Sequence, residues 1–276
     1  MVTCPINLPK TFMEALTHEA ERSGRTLNAI VTEAVGQYLN LSVHTLFQVS
    51  TSGALVAGVF DGEVSVGSIL KHGDFGLGTF AELDGEMVIL EGQVYQVKGD
   101  GRVLVATEAA RAPFAVVTRF DPEIDVRISD IADLADLERH CDLYRQSGNI
   151  FYAIRIDGVF DTIRTRAVNP PEPGARLIDA AKSQSEFTFA ETAGTLVGLW
   201  SPGFSAAFSV PGYHLHFLSD DRMHGGHLLG LSARSLRLRV EALTDFHLAL
   251  PETERFLKAD LSKNSADELA YAESAH

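Results

Sequence analysis

Asp-Gly occurs at 61-62, 84-85, 100-101 and 157-158, each time between short apolar runs. Both residues tolerate the positive φ that a tight hairpin turn requires, so the repeated pair predicts short antiparallel strands rather than a helical bundle. Met87 to Leu90, Val94 to Val97 and Val103 to Ala106 read as one such meander, and further strands are expected on either side of Asp157-Gly158. A helix beginning at Asp130 places Ile131, Leu134, Leu137, Cys141 and Tyr144 on one face and stops at Ser147-Gly148. A short helix near Leu177 to Lys182 follows. Strands resume through Phe187 to Ala190, Thr195 to Trp200, the stretch around residue 215, and Leu236 to Val240. The tail from Phe256 to His276 is polar and expected to be helical in part.

Residues before 40 follow a different pattern. Pro9 to Arg22 is amphipathic and is stopped by Ser23-Gly24. Leu27, Ile30, Val31, Ala34, Val35, Tyr38 and Leu39 then recur at helical spacing. The proline-rich connection Asn169-Pro-Pro-Glu-Pro-Gly174 marks a candidate boundary. The expected architecture is α+β and two-lobed, with mixed and antiparallel sheets and few helices, preceded by a small strand-helix-helix segment. Its divisions are residues 1-42, 43-168 and 169-276.

The chain has 276 residues, is 45% hydrophobic and carries a formal charge of -14. It is long enough for a sizeable core, and its acidity argues against nucleic acid or an anionic membrane as partner. No secretory signal or transmembrane stretch is evident, so a cytoplasmic protein is expected. Cys4 and Cys141 are too few and too far apart for a disulfide framework or a metal motif and read as free thiols. His72-Gly-Asp-Phe-Gly-Leu-Gly-Thr-Phe80 is glycine-rich, but it lacks the Gly-Lys-Ser/Thr ending of a phosphate loop.

The chemistry is expected in Gly212-Tyr-His-Leu-His-Phe-Leu-Ser-Asp-Asp-Arg-Met-His-Gly-Gly-His227, which holds four of the ten histidines. As a strand, it sends His214 and His216 to one face and Tyr213, Leu215 and Phe217 to the other. Ser219-Asp220-Asp221 reads as a turn, and Gly225-Gly226 lets the backbone bring His227 back to the same point. Three imidazoles suit a first-row divalent ion, zinc above all, with open positions for water or substrate. His224 fits no ligand direction and reads as a solvated turn residue. His-x-His with a glutamate and a distant histidine also describes cupin-type oxygenases. Those usually carry the glutamate a few residues after the pair, and Ser219-Asp220-Asp221 does not supply one.

The first forty residues resemble the ribbon-helix-helix family of dimeric repressors, with Thr3 to Leu8 as the strand. A regulator that binds DNA through this segment and senses a metabolite through the rest is therefore an alternative class. Three basic residues (Lys10, Arg22, Arg25) against four glutamates (14, 19, 21, 33) leave the segment at -1, and its strand has no lysine or arginine to read bases. A dimerisation appendage fits better.

Beyond residue 45 the motifs fall in a specific order. Gly76-Leu-Gly-Thr-Phe80, Leu83-Asp-Gly-Glu86, Glu91-Gly-Gln-Val-Tyr95, Phe151-Tyr-Ala-Ile-Arg-Ile-Asp-Gly158 with Thr165-Arg166, and the histidine stretch together resemble the alpha-acetolactate decarboxylase family. The resemblance implies a zinc lyase that releases CO2 from 2-acetolactate and yields acetoin, the metal stabilising an enediolate that a glutamate protonates on one face. It implies His214, His216 and His227 as metal ligands, and Glu86 together with a tail glutamate, Glu273 or alternatively Glu268, in the site. It further implies Arg166 as a catalytic and substrate-binding residue and Thr79 as substrate-binding. Taken by itself, each has a plainer reading: Glu86 as a turn residue, Arg164 or Arg166 as a surface charge, Thr79 as closing a turn. A homodimer, joined through sheet edges or the appended helices, is the expected assembly. The family does not generally carry a two-helix segment like residues 1 to 42.

Overall fold

The computed structural model describes residues 5–39, 43–172, 174–262 and 268–269. Two helices come first, α1 (Lys10–Ser23) and α2 (Leu27–Leu39), with Gly24 in the left-handed conformation that ends α1. Residues 5–9 form no strand, and 1–4, including Cys4, lie outside the described residues. A ribbon of the kind expected there pairs with its copy in a second chain, so a single chain gives it no hydrogen-bond partner.

From residue 45 onward the strands are β1 (Thr45–Val49), β2 (Val64–Ser65), β3 (Phe75–Thr79), β4 (Glu86–Leu90), β5 (Gln93–Val97), β6 (Val103–Val105), β7 (Arg111–Ala112), β8 (Phe114–Thr118) and β9 (Ile124–Ile131). Three long strands, β10 (Phe151–Ala167), β11 (Ser185–Ser201) and β13 (Gly225–Leu243), are joined by β12 (Gly212–Ser219) and followed by β14 (Asp245–Ala249). Short helices intervene: α3 (Ser52–Val56), α4 (Val66–Ile69), α5 (Leu134–Asp142), α6 (Leu177–Ala181) and α7 (Glu254–Lys258).

The strands make two large sheets. One has the order β14-β1-β8-β3-β4-β5-β6, with β1 and β14 parallel and the rest antiparallel; the other has the order β10-β11-β12-β13-β9, with β10 also paired to β13. The fold is thus α+β with mixed and antiparallel sheets. The sheets do not divide the chain at residue 168, because β9 and β10 already belong to the second sheet and β14 returns to the first.

Alternation along the strands sorts side chains into three apolar layers. Between the sheets lie Val88, Leu90, Val197, Leu199 and Leu218. Behind the second sheet, Leu215, Phe217, Ile154 and Ile156 pack against Leu137 and Cys141 of α5. Behind the first sheet, Met87 and Ile89 pack on Val66 and Ile69 of α4. Each of these fully buried side chains contributes about 1.5–3 kcal/mol relative to exposure.

Two expectations about local structure are corrected. Asp157-Gly158 makes no turn: β10 runs through it for 17 residues. Asp157 is occupied across the sheet, accepting from Arg155, Arg239 and Thr195, and these partners hold the pair extended. The helix expected from Asp130 starts at Leu134, where Asp133 caps it by accepting from the Asp136 amide; Ile131 is still in β9, opposite Ala233.

The glycine-rich segment 72–80 contains β3, and its glycines let the backbones approach. A Cβ on Gly76 would lie 2.0 Å from the Val116 carbonyl oxygen of β8. Because the obstacle is backbone, Gly76→Ala is expected to destabilise the chain by about 1–3 kcal/mol. Urea melts read this directly, and an unchanged midpoint would show that β3 and β8 separate at little cost.

Candidate active site

The predicted alternation of β12 is observed. His216 stands opposite Val197 and His214 opposite Leu199, on the face toward the first sheet, while Leu215 and Phe217 enter the opposite layer. His227 reaches the same face through a register slip. Along most of their length β10 and β13 pair so that Arg166 would meet Leu228, but the pairing shifts between Arg164 and Thr165, and Arg166 meets His227 instead. A one-residue shift reverses facing, so this bulge turns His227 toward the other two imidazoles. Gly226 makes room for it: its φ is 128°, and a Cβ there would sit 2.4 Å from the Arg166 carbonyl oxygen.

The three rings form a nearly equilateral triangle. Centroids are 5.0 Å apart for His214 and His216, 5.1 Å for His214 and His227, and 5.4 Å for His216 and His227. One ligand nitrogen from each lies within 4.8 Å of the others. His216 Nδ1 is 2.9 Å from the Met87 carbonyl oxygen, which assigns the proton to Nδ1 and leaves the Nε2 lone pair for a ligand. Burial, with the Arg166 charge adding to it, pushes the His214 pKa down to about 3, so that ring stays neutral. Neutral nitrogens converging on one point are the donor set that a tetrahedral or five-coordinate divalent ion takes, and the residues fit such an ion.

The first sheet supplies the facing wall. Thr79 and Glu86 are directly paired across β3 and β4, and both are buried. Glu86, 5% exposed, accepts from the Val168 amide at 3.3 Å, and its Oε2 is 3.7 Å from His216 Nε2. Thr79 donates to the Gly85 carbonyl oxygen at 2.8 Å. Arg166, 4% exposed, donates to Gln184 Oε1 at 3.0 Å. Arg164, two residues earlier, instead pairs with Glu186 at the surface, which separates the two arginines that strand parity alone left equivalent.

All six of these residues, Thr79, Glu86, Arg166, His214, His216 and His227, line one cleft that encloses about 540 Å³ including its mouth. Its remaining wall is apolar and includes Leu55, Phe114, Leu177, Val210 and Leu269. No periodic signal marks these five, since each comes from a different element and meets the others only in the folded chain. His224 is outside the triad; it is half-buried and stacked on Phe189 at 4.3 Å, rather than solvated. Glu273 lies outside the described residues. Glu268 does not line the cleft and pairs with Arg176.

Two packed sheets with three imidazoles, a carboxylate and a guanidinium at their junction define an α+β enzyme fold built around a three-histidine centre. The family model for alpha-acetolactate decarboxylase matches residues 46–263. The alpha-acetolactate decarboxylase of Methylococcus capsulatus is 42% identical over 231 residues, covering 83% of this chain and 89% of that protein. That of Methanosarcina mazei is 39% identical, covering 92% and 88%. The crystal structure of alpha-acetolactate decarboxylase from Bacillus subtilis superposes with a TM-score of 0.81 at 34% identity, covering 84% of this chain and all of that one. The chain belongs to the alpha-acetolactate decarboxylase family, and with it to the carboxy-lyases.

Proposed function

We propose that this chain converts 2-acetolactate to acetoin and CO2 with Zn2+ held by His214, His216 and His227. The observation that carries the reading is the convergence of those imidazoles in a cleft that also presents Glu86, Arg166 and Thr79. When bound, the ion supplies a Lewis acid for the substrate's oxygens, which accept the electron pair left as the carboxylate departs.

The protein's own groups do the rest. Arg166 presents a planar cation to an anionic substrate. Glu86, buried beside the triad, protonates the carbon that lost CO2, and its fixed side of the cleft selects one face. The tail carboxylate, assigned to Glu273, is the second candidate for that proton. With the proton-donating carboxylate protonated and the other ionised, neutral imidazoles and Zn2+ would sum to +1, and Arg166 adds a second positive charge toward the incoming anion. Thr79 lies on the substrate side of the β3–β4 pair. The apolar wall keeps water from the reacting carbon.

Pairing a carboxylate that is about to become neutral CO2 would hold back the step, so Arg166 has two distinguishable roles. Arg166→Lys raises KM with little change in kcat if the guanidinium orients the substrate carboxylate, and lowers kcat if it holds the developing oxyanion. Separate measurement of the two constants decides between them. The overall reading is tested by incubating the zinc-loaded chain with racemic 2-acetolactate and measuring acetoin and CO2. Equal amounts of both are expected, and oxygen uptake without acetoin would instead indicate the oxygenase class.

The proposed assembly is a cytoplasmic homodimer joined through α1 and α2. No residue of α1 is buried, and Phe12, Val35, Tyr38 and Leu39 are exposed along the hairpin. Its charges pair internally, Arg22 with Glu19, Arg25 with Glu33 and Lys10 with Glu14, so a second identical hairpin meets an apolar face without charge conflict. Removing residues 1–42 is expected to halve the mass in light scattering while kcat is retained; an unchanged mass would move the interface to the sheet edges. Cys141 is a buried free thiol, as a reducing compartment permits. No described helix is long and apolar enough to cross a membrane.

A further inference from the structure

The polar residues of the cleft account for a substrate's oxygens; its apolar lining has to accommodate carbon. Leu55, Leu177, Ala181, Val210 and Leu269 belong to that lining. Four of them sit within the body of the fold, on α3, on α6 or just before β12. Leu269 arrives separately, on the tail, yet it is only 2% exposed and packs into the core between the sheets.

The residue before it shows how it is held. The Glu268 carboxylate takes both oxygens to Arg176, with Nη2 3.0 Å from Oε1 and 2.8 Å from Oε2. Arg176 is the residue on which α6 starts, its amide donating to Asp179 at 3.2 Å, and Leu177 and Ala181 of the same helix line the cleft. A partly exposed ion pair contributes little to overall stability. It does tether residue 268 to the start of α6, which limits where the next side chain falls.

We propose that Leu269 sizes the site for the alkyl group on the hydroxyl-bearing carbon of the substrate, and that Glu268 and Arg176 are positioning residues that set its depth in the cleft. This rests on the reading of the site as one for a 2-alkyl-2-hydroxy acid. Glu268 accordingly belongs to the docking of the tail, not to proton transfer.

The test uses the full zinc-loaded chain and two acids that lack the ketone and so stay intact, 2-hydroxy-2-methylpropanoate and 2-ethyl-2-hydroxybutanoate. Calorimetry gives the ratio of their Kd values. Leu269→Ala is expected to shift that ratio toward the larger acid by about tenfold or more, and Leu269→Phe to shift it the other way. Arg176→Ala and Glu268→Gln shift it in the direction of Leu269→Ala by a smaller factor, and the charge-reversed pair, Arg176→Glu with Glu268→Arg, restores the original ratio. A ratio that stays within about twofold for both Leu269 variants overturns the proposal, as does failure of the unmodified chain to bind either acid. Lack of rescue by the reversed pair overturns the positioning roles. Absent turnover of 2-acetolactate alongside the expected ratio shifts would count against the proposed reaction and leave the sizing role supported.

Discussion

Exhaustive chelation, or replacement of His216 by alanine, is expected to lower acetoin formation by about a thousandfold or more. A Lewis acid at the departing electron pair supplies several kcal/mol, and each 1.4 kcal/mol is a factor of ten. Added Zn2+ should restore the chelated chain and leave the His216→Ala chain inactive, because the Nε2 donor aligned by the Met87 carbonyl is gone. The structural cost of the substitution is separable by circular dichroism. Loss of the ion also has a pH signature. The folded chain keeps His214 neutral to about pH 3, whereas the unfolded imidazole takes a proton near 6.5, so the metal-free protein loses stability as pH falls between those values. Full activity in protein that elemental analysis shows to be metal-free would end the proposed role of the triad.

Glu86→Gln is the second large effect. The amide keeps an oxygen for the Val168 N–H and nearly the same volume, so the fold is retained while the transferable proton is lost. kcat is expected to fall by about 10²–10⁴-fold. The acetoin that still forms should lose optical purity, because protonation from solvent selects no face. Chiral chromatography separates this from a change in rate alone. Slow turnover with undiminished optical purity would transfer the proton to the tail carboxylate and leave Glu86 as a charge beside the triad.

Much of this site is legible before folding because its parts are local. The period of two in Tyr213 to Phe217 sorts two imidazoles from three apolar side chains without reference to the rest of the chain. Gly225-Gly226 announces a close backbone approach wherever it occurs. The turn signals at 84-85 and 100-101 do fall between paired strands, β3 with β4 and β5 with β6. The same signal fails at 157-158, where Asp157 finds three partners on its own and neighbouring strands, and those contacts outweigh a turn preference.

Other features depend on contacts between residues far apart in the chain. The slip between Arg164 and Thr165 that aims His227 and selects Arg166 over Arg164 is a property of two paired strands, and neither strand alone encodes it. Burial of Glu86, carried by the second sheet closing over the first, changes what would be a hairpin residue into a site carboxylate. Sequence by itself determined the strand-rich class, the helical hairpin at the start and the residue types of the centre, because period, turn chemistry and ligand chemistry act over a few residues. Tertiary structure alone decided the cleft's apolar wall, the facing of His227 and the attachment of the tail, because those depend on which distant backbones are brought within a few ångströms of each other.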